Sequence, residues 1–133
     1  MPGARTIQLE ITGQPITKKN SQRLVYAKGR IIPLPSSQYK IYEEAALRQL
    51  NYQYGGEPID YPVNLSCVYY MKTHRKCDLA NLLQASLDIL VRAKVIADDN
   101  FTVVAGLDYS RVSYDKENPR VEITISELLP FEE

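Results

Sequence analysis

Apolar residues alternate with polar ones, or form short β-branched and aromatic runs, in four stretches of the chain. Such patterns are typical of β-strands. In the first stretch, Ile7, Leu9 and Ile11 share one side. The patterns predict strands over residues 6–12, 63–71, 101–112 and 120–126, with the second of them central in the sheet.

Two other stretches repeat apolar residues at the spacing of an α-helix. The first follows Ser36 or Ser37, either of which can cap a helix, and extends to about residue 52. Its apolar stripe is Tyr39, Tyr42, Ala46 and Leu50. The second covers about residues 79–94, and its predicted buried side comprises Leu79, Leu82, Leu83, Leu87, Leu90 and Val91.

The remaining elements complete a prediction of the fold. Residues 24–26 and 30–32 flank a Lys-Gly turn and predict a small hairpin that Pro33 and Pro35 end. The order strand, hairpin, helix, strand, helix, strand, strand predicts an α+β fold, a mixed, mainly antiparallel sheet packed with two main helices. No repeat or long linker divides the chain, so residues 1–133 are interpreted as a single domain.

Composition narrows the classes of protein that fit. The 133 residues contain no apolar run near the ~18 needed to cross a bilayer. The first residues lack the apolar core of a signal peptide, and two cysteines do not make a disulfide framework, so we expect a cytoplasmic protein. His74 and Cys77 have the spacing of zinc ligands, but with one histidine and two cysteines in the chain a closed zinc site is disfavoured.

Basic residues are concentrated although the net charge is zero. Residues 1–35 contain six basic side chains and one acid, Glu10, and a second basic run covers residues 72–76. Such asymmetry can leave one basic face on a neutral protein, and the alternative is a pair of solvated loops. The candidates for contacts with a DNA backbone are Lys18, Lys19, Arg23, Arg75, Lys76 and Arg111.

The polar face of the second helix carries the candidate chemistry. At 100° per residue, one third of the helix circumference holds Asp78, Asn81, Gln84, Asp88 and Arg92. The chain leaves this helix towards the pair Asp98 and Asp99. If a neighbouring strand end brings the first helical turn close to this pair, the carboxylates can hold the one or two Mg²⁺ ions that phosphodiester hydrolysis uses.

Each of these residues also has a structural explanation. Asp78 stands where an N-cap is expected, and Asp98 and Asp99 have ordinary turn composition. Asp88 and Arg92 are spaced for an exposed i,i+4 ion pair. Order and spacing, rather than any single residue, carry the metal hypothesis.

That order and spacing resemble a known family. An Arg shortly before D-x-x-N-L, then D-x-L, then a D-D pair about ten residues later, is a pattern similar to the core of the RusA-like Holliday junction resolvases. It is carried here by residues 75–82, 88–90 and 95–99, and the opening residues 13–20 resemble the family's basic loop. The resemblance covers roughly residues 7–125.

The resemblance implies a homodimeric, Mg²⁺-dependent endodeoxyribonuclease that binds and cuts four-way DNA junctions, with Mn²⁺ as an alternative ion. It implies no organic cofactor and no membrane association. Asp78 and Asp99 would hold the metal as catalytic carboxylates, with Asp98 as a supporting or alternative ligand.

The chain departs from the family pattern at two positions. Many members have a second Asp where Ala80 stands, and a Lys is common at Gln84. Asn81, Gln84 or Asp88 would have to compensate by oxygen ligation or by hydrogen bonds to the ligands. The departures leave two rivals open: a branched-DNA-binding protein that does not cut, and a structural protein whose acids are caps and turns.

Overall fold

The computed structural model describes residues 5–18, 22–27, 29–35 and 37–128. The elements follow one another as β1 Thr6–Thr12, β2 Gln22–Ala27, β3 Arg30–Pro35, α1 Ser37–Gln53, β4 Val63–Met71, α2 Leu79–Arg92, β5 Val104–Gly106, β6 Arg111–Tyr114 and β7 Arg120–Glu127. No helix among the described residues is long and apolar enough to span a bilayer.

The main sheet has β4 at its centre. β7 pairs antiparallel with both β1 and β4, whereas β5 and β6 both pair parallel with β4, one after the other along the same edge. β2 and β3 form a separate antiparallel ribbon. The predicted α+β fold, with a mixed, mainly antiparallel sheet and two main helices, is therefore confirmed.

The core lies between one face of this sheet and the two helices. Every second residue of β4 is buried, from Val63 to Met71, as the period of a half-covered strand requires. The same apolar cluster contains Leu50 from α1 and Leu82 and Leu90 from α2. The predicted apolar sides of both helices therefore meet the same face of the sheet.

The prediction that two prolines end the hairpin is wrong for Pro33 and confirmed for Pro35. Pro33 pairs with residue 24 inside β3, and Pro35, which pairs with residue 22, is the last residue of the strand. In a two-stranded antiparallel ribbon every second N–H points away from the partner strand, and a proline at such a position removes no ladder hydrogen bond.

The predicted strand over residues 101–112 is interrupted. The chain leaves β4 after Gly106 and returns at Arg111, and side chains bridge the gap. The Asp108 N–H donates to Asn64 Oδ1 (2.8 Å), and the Cys67 N–H donates to Ser110 Oγ (3.1 Å). Because side-chain atoms replace ladder hydrogen bonds there, the apolar pattern of the sequence did not reveal the interruption.

A buried hydrogen bond joins the central strand to α2. Tyr69 Oη and Ser86 Oγ lie 2.8 Å apart in the core. Burial raises the pKa of Tyr69, so the hydroxyl remains neutral. This bond links β4 to α2 inside the core.

We expect Ser86→Ala to lower the free energy of unfolding by about 1–3 kcal/mol, because it leaves the buried Tyr69 hydroxyl without this partner. Urea denaturation followed by circular dichroism measures the loss. The control is Tyr69→Phe combined with Ser86→Ala, which removes both hydroxyls and should cost less than the sum of the single changes. A Ser86→Ala variant as stable as the parent would show that the bond contributes little.

Candidate active site

The segment from β4 to β5 is a strand–helix–strand crossover, which fixes where α2 begins and ends. β5 and β6 run parallel to β4, so α2 must run back antiparallel to all three strands. Asp78, directly before α2, therefore lies at the carboxyl end of β4. A helix of 14 residues is about 21 Å long, so the far end of α2 lies near the amino end of β4.

Asp98 and Asp99 lie at that far end. The Ala97 N–H donates to the carbonyl of Ile59 (2.8 Å), and the Val63 N–H donates to the carbonyl of Val103 (2.8 Å). These bonds tie the acid pair to the segment that enters β4. Within one chain, Asp78 and the pair thus lie at opposite ends of α2, and the expected meeting of their carboxylates does not occur.

The metal hypothesis is affected directly by this separation. Among the described residues, no three His, Cys, Asp or Glu side chains come together in a way that could hold a metal ion. The assignment of Asp78, Asp98 and Asp99 as ligands remains a prediction, but one chain does not assemble them. A sequence pattern places residues on a face of a helix and says nothing about the direction of the strands that follow. That direction decides how far Asp78 lies from Asp98 and Asp99.

Asp78 does not act as a helix cap through its side chain. It occupies the N-cap position with an extended backbone (φ −93°, ψ 124°), yet its carboxylate accepts no capping hydrogen bond. Asn81 Nδ2 instead donates to Asp78 Oδ2 (3.2 Å). The simplest structural explanation for this carboxylate is therefore removed, and Asn81 holds it at an exposed position.

The rest of the polar face of α2 is paired differently from the prediction. Gln84 Nε2 donates to Asp88 Oδ1 (3.2 Å), and Arg92 Nη1 donates to Glu43 Oε1 (3.1 Å) on α1. The predicted i,i+4 pair of Asp88 with Arg92 is thus replaced by these contacts. Gln84 and Asp88 lie one and two turns beyond Asn81, where they support each other.

The acid pair is part of a tight turn. Asp98 Oδ1 accepts a hydrogen bond from the N–H of the adjacent Asp99 (2.7 Å), so the Asp98 carboxylate is engaged locally. Among the described residues the Asp99 carboxylate has no hydrogen-bond or ion-pair partner, and both residues are exposed. Asp99 therefore has the more available carboxylate of the two.

An open cleft of about 580 Å³ lies in front of Asp78. Its floor is apolar and includes the buried residues Met71 and Leu82, and its rim is polar and basic. The residues that line it are Gln14, Pro15, Ile16, Thr17, Gln38, Met71, Lys72, Thr73, Arg75, Lys76, Cys77, Asp78 and Leu82.

The loop between β4 and α2 supplies the cations of this cleft. Arg75 and Lys76, both predicted from the sequence, line it beside Asp78. Lys72, a member of the basic run that was not among the predicted DNA contacts, lines it as well. Two contacts hold the loop: the Lys72 N–H donates to Gln14 Oε1 (2.7 Å), and His74 stacks on Tyr114 with ring centroids 3.9 Å apart.

The other predicted DNA contacts are distributed. Lys18 follows the cleft residue Thr17, and its ammonium lies 5.9 Å from the ring centroid of Tyr39. Arg111 lies on β6, away from the cleft, and donates to the Tyr109 carbonyl (3.2 Å). The prediction for Lys19 lies outside the described residues, as does that for the side chain of Arg23, which belongs to β2.

The thiols do not favour zinc. Burial raises the pKa of Cys67 to about 12, so this thiol carries a proton at neutral pH and is a poor metal ligand. His74 stacks on Tyr114, so of the two residues with zinc-ligand spacing only Cys77 lines the cleft. The disfavoured zinc hypothesis thus gains no support from the described residues.

Two comparisons with known proteins bear on the family of this chain. The family described as Endodeoxyribonuclease RusA matches residues 12–126. A crossover junction endodeoxyribonuclease RusA from Aquifex aeolicus (strain VF5) is 30% identical over 94 residues, which cover 71% of this chain and 72% of that protein. The matched region contains the basic loop, Asp78, α2 and the Asp98–Asp99 pair. The chain therefore belongs to the RusA endodeoxyribonuclease family.

Proposed function

We propose that this protein is a structure-selective endodeoxyribonuclease that resolves four-way DNA junctions by Mg²⁺-dependent hydrolysis of phosphodiester bonds. Membership of the RusA family and the name of the Aquifex relative support the class of activity. The observation that carries the proposal is the position of Asp78, whose carboxylate is exposed at the rim of a basic cleft and caps no helix.

The cleft suits a DNA backbone. Arg75 and Lys76 stand beside Asp78 in the sequence and in the cleft, where they can bind the phosphates that flank a scissile bond. Gln14 contacts this loop at Lys72, and Tyr114 contacts it at His74, so both restrain the cations of the loop. This restraint lowers the entropy that the cations lose when they bind DNA. The loop thus orients the substrate relative to the acid.

The donor set fits Mg²⁺ in chemistry but not within one chain. Asp78 and Asp99 offer exposed carboxylate oxygens of the kind that Mg²⁺ prefers, and they lie at opposite ends of α2. In a second copy related by a twofold axis, α2 would run opposite to α2 of the first copy. The Asp99 of the second copy would then lie towards Asp78 of the first. We therefore propose that the protein acts as a homodimer in which each active site takes Asp78 from one copy and Asp99, supported by Asp98, from the other.

When bound at such a site, Mg²⁺ would activate a water and offset charge that develops on the phosphate. The chain itself positions the substrate and supplies the negative groups. Asn81 holds the Asp78 carboxylate through its amide, and the cations of the loop keep the phosphate in the cleft. A twofold dimer has two equivalent sites, which suits symmetric nicking of two opposing strands of a junction.

The experiment that tests this function uses a labelled four-way junction and a linear duplex of the same sequence, each incubated with the protein in Mg²⁺, in Mn²⁺ or in EDTA. We expect cleavage of the junction with either ion, none in EDTA, and loss of cleavage in Asp78→Asn and in Asp99→Asn. Both residues are exposed, so these changes should leave the fold intact, which circular dichroism checks.

One observation favours a second function. Ala80 provides no carboxylate, and Gln84 is uncharged and bonded to Asp88, so the site has one acid and one cation fewer than many family members. A non-cleaving protein that binds branched DNA would shift the junction in a gel with Mg²⁺ and leave it intact. A protein with no preference for the junction over the duplex would contradict both functions.

We expect Ala80→Asp to lower the Mg²⁺ concentration for half-maximal cleavage by about tenfold. An added charge near the ion contributes at least ~1.4 kcal/mol at the effective dielectric of a protein surface. Ala80 is exposed in the first turn of α2, where an acid also interacts well with the helix dipole, so the fold tolerates the change. Ala80→Asn, with similar size and no charge, is the control and should leave the Mg²⁺ requirement near that of the parent.

A further inference from the structure

The β2–β3 ribbon stands apart from the main sheet. Within the described part of the chain, β2 pairs with β3 alone, from Gln22 with Pro35 to Ala27 with Arg30. Strands of six residues give the ribbon a length of about 20 Å. Both of its connections to the rest of the chain lead to the cleft, because residues 14–17, shortly before β2, and Gln38, shortly after β3, line it.

The end of the ribbon at its turn is exposed on both faces. Arg30 and Ile31 are neighbours in β3, so their side chains point to opposite faces of the ribbon. Both side chains are exposed, Ile31 to 63%. Gly29 supplies the left-handed backbone (φ 77°) of the turn. At this end, therefore, the described part of the protein covers neither face of the ribbon.

The ribbon lies in the basic part of the chain. Residues 11–42 contain no acid and six basic side chains, which are Lys18, Lys19, Arg23, Lys28, Arg30 and Lys40. The other 101 residues contain ten basic and sixteen acidic side chains, so the zero net charge combines a basic segment with an acidic remainder. A segment charged in this way attracts a polyanion.

The Arg30 guanidinium is available to such a partner. Every ion pair among the described residues involves Arg5, Arg92 or Arg120. Arg30 therefore has no acidic partner within that part of the chain. A phosphate can bind this side chain without displacing a carboxylate.

The prolines of β3 disfavour a protein strand as the partner. Pro33 and Pro35 lack an N–H, and in the register of the ribbon the missing groups belong to the outer edge of β3. A strand that paired with this edge would meet two absent hydrogen-bond donors, and basic residues near an edge oppose such pairing further. Duplex DNA has no such requirement. Its phosphates supply the negative charge, and its major groove, about 12 Å wide, admits a two-stranded β-ribbon.

We propose that the β2–β3 ribbon binds a duplex arm of the branched DNA in the major groove, at a distance from the scissile phosphate. This inference rests on the function proposed above and adds a second DNA-binding surface outside the cleft. Phosphates of one strand are about 3.4 Å apart along the duplex, so a ribbon of about 20 Å reaches about six of them from the cleft. Arg30, beside the turn, contacts the outer ones.

A junction with neutral linkages tests this reach. Methylphosphonates replace the phosphates about three to six nucleotides from the crossover in every strand. Fluorescence anisotropy in EDTA at about 0.1 M salt measures binding without cleavage. We expect the parent protein to bind this junction about tenfold more weakly than the ordinary junction, because each lost phosphate contact removes the release of about one counterion.

Arg30→Glu should bind the ordinary junction about tenfold more weakly than the parent protein does. It should respond little to the neutral linkages, because its contact with those phosphates is already lost. The matched control is Lys116→Glu, which makes the same change of charge at an exposed residue between β6 and β7. This control should keep the parent's affinity and its sensitivity to the neutral linkages. Circular dichroism checks that both variants are folded.

Three results would overturn the proposal. The parent protein could bind both junctions equally, which would mean that it makes no contact at that distance. The neutral linkages could weaken the parent and Arg30→Glu to the same extent, which would assign the contact to another surface. Lys116→Glu could lose as much affinity as Arg30→Glu, and overall charge would then explain the effect.

These outcomes are distinguishable from failure of the nuclease function. A linear duplex with the same neutral linkages reports the contact even where no junction is cut. Sensitivity to these linkages that Arg30→Glu abolishes, in a protein that cuts no junction, would leave the ribbon contact standing and refute the nuclease. Junction cleavage by a protein whose affinity does not change in Arg30→Glu would do the reverse.

Discussion

An equal mixture of Asp78→Asn and Asp99→Asn chains should recover about one quarter of the parent's cleavage, although each variant alone is almost inactive. Loss of a metal-holding carboxylate removes several kcal/mol of stabilisation, which is about a thousandfold in rate. Random pairing makes half of the dimers mixed. In a mixed dimer, one site combines both altered residues and the other combines both intact ones, so one quarter of all sites are complete.

The reason is the geometry of the crossover. α2 separates Asp78 from Asp99 by its full length within one chain, so the proposed metal site takes its ligands from two chains. The chains are mixed and refolded together, or produced together, so that they exchange partners. A junction labelled on all four strands reports the result, and the mixed dimers should release singly nicked junctions because each has one working site.

The control for this result mixes Asp78→Asn chains with Asp98→Asn chains. If Asp98 supports Asp99 in the same half of the site, this mixture is also rescued, and Asp98→Asn alone should be less damaging than Asp99→Asn. A mixture of Asp98→Asn with Asp99→Asn should not recover, because both changes affect the same half. Failure of the first mixture to recover, in dimers shown to exchange, would mean that each site is built within a single chain.

The sequence predicted the elements well where one face of each is buried. The alternation in residues 6–12 and the apolar stripe of α1 correspond to β1 and α1 within about a residue. Burial at β4 has the period that the sequence suggests, because one face of that strand meets the core and the other does not. Periodicity is informative in these segments because packing against a single layer decides which side chains are apolar.

The arrangement of those elements was not predictable in the same way. The interruption between β5 and β6 depends on Asn64 and Ser110, whose side chains replace strand hydrogen bonds across a long sequence separation. The separation of Asp78 from Asp99 depends on β5 running parallel to β4, which no local pattern encodes. The order of strand, long helix and strand was the available signal, because that order is typical of a parallel crossover.

Replacing both Arg75 and Lys76 by alanine should weaken binding to a four-way junction by about fiftyfold at 0.1 M salt. Each cation that contacts a phosphate releases about one counterion, so two lost contacts remove roughly two powers of salt dependence. The slope of log affinity against log salt should therefore become shallower by about two. The affinities of the parent and of the double variant should converge near 1 M salt. Fluorescence anisotropy in EDTA, which separates binding from cleavage, measures both quantities.

The matched control replaces Arg5 and Lys116 by alanine. Both side chains are basic and lie outside the cleft; Arg5 pairs with Glu127 (3.9 Å), and Lys116 stands between two acids. The same change in charge there should alter affinity and slope little. If both double variants weakened binding equally, overall charge would explain the effect. The loop beside Asp78 would then not be the phosphate-binding surface, because a true contact must affect binding more than an equal charge elsewhere.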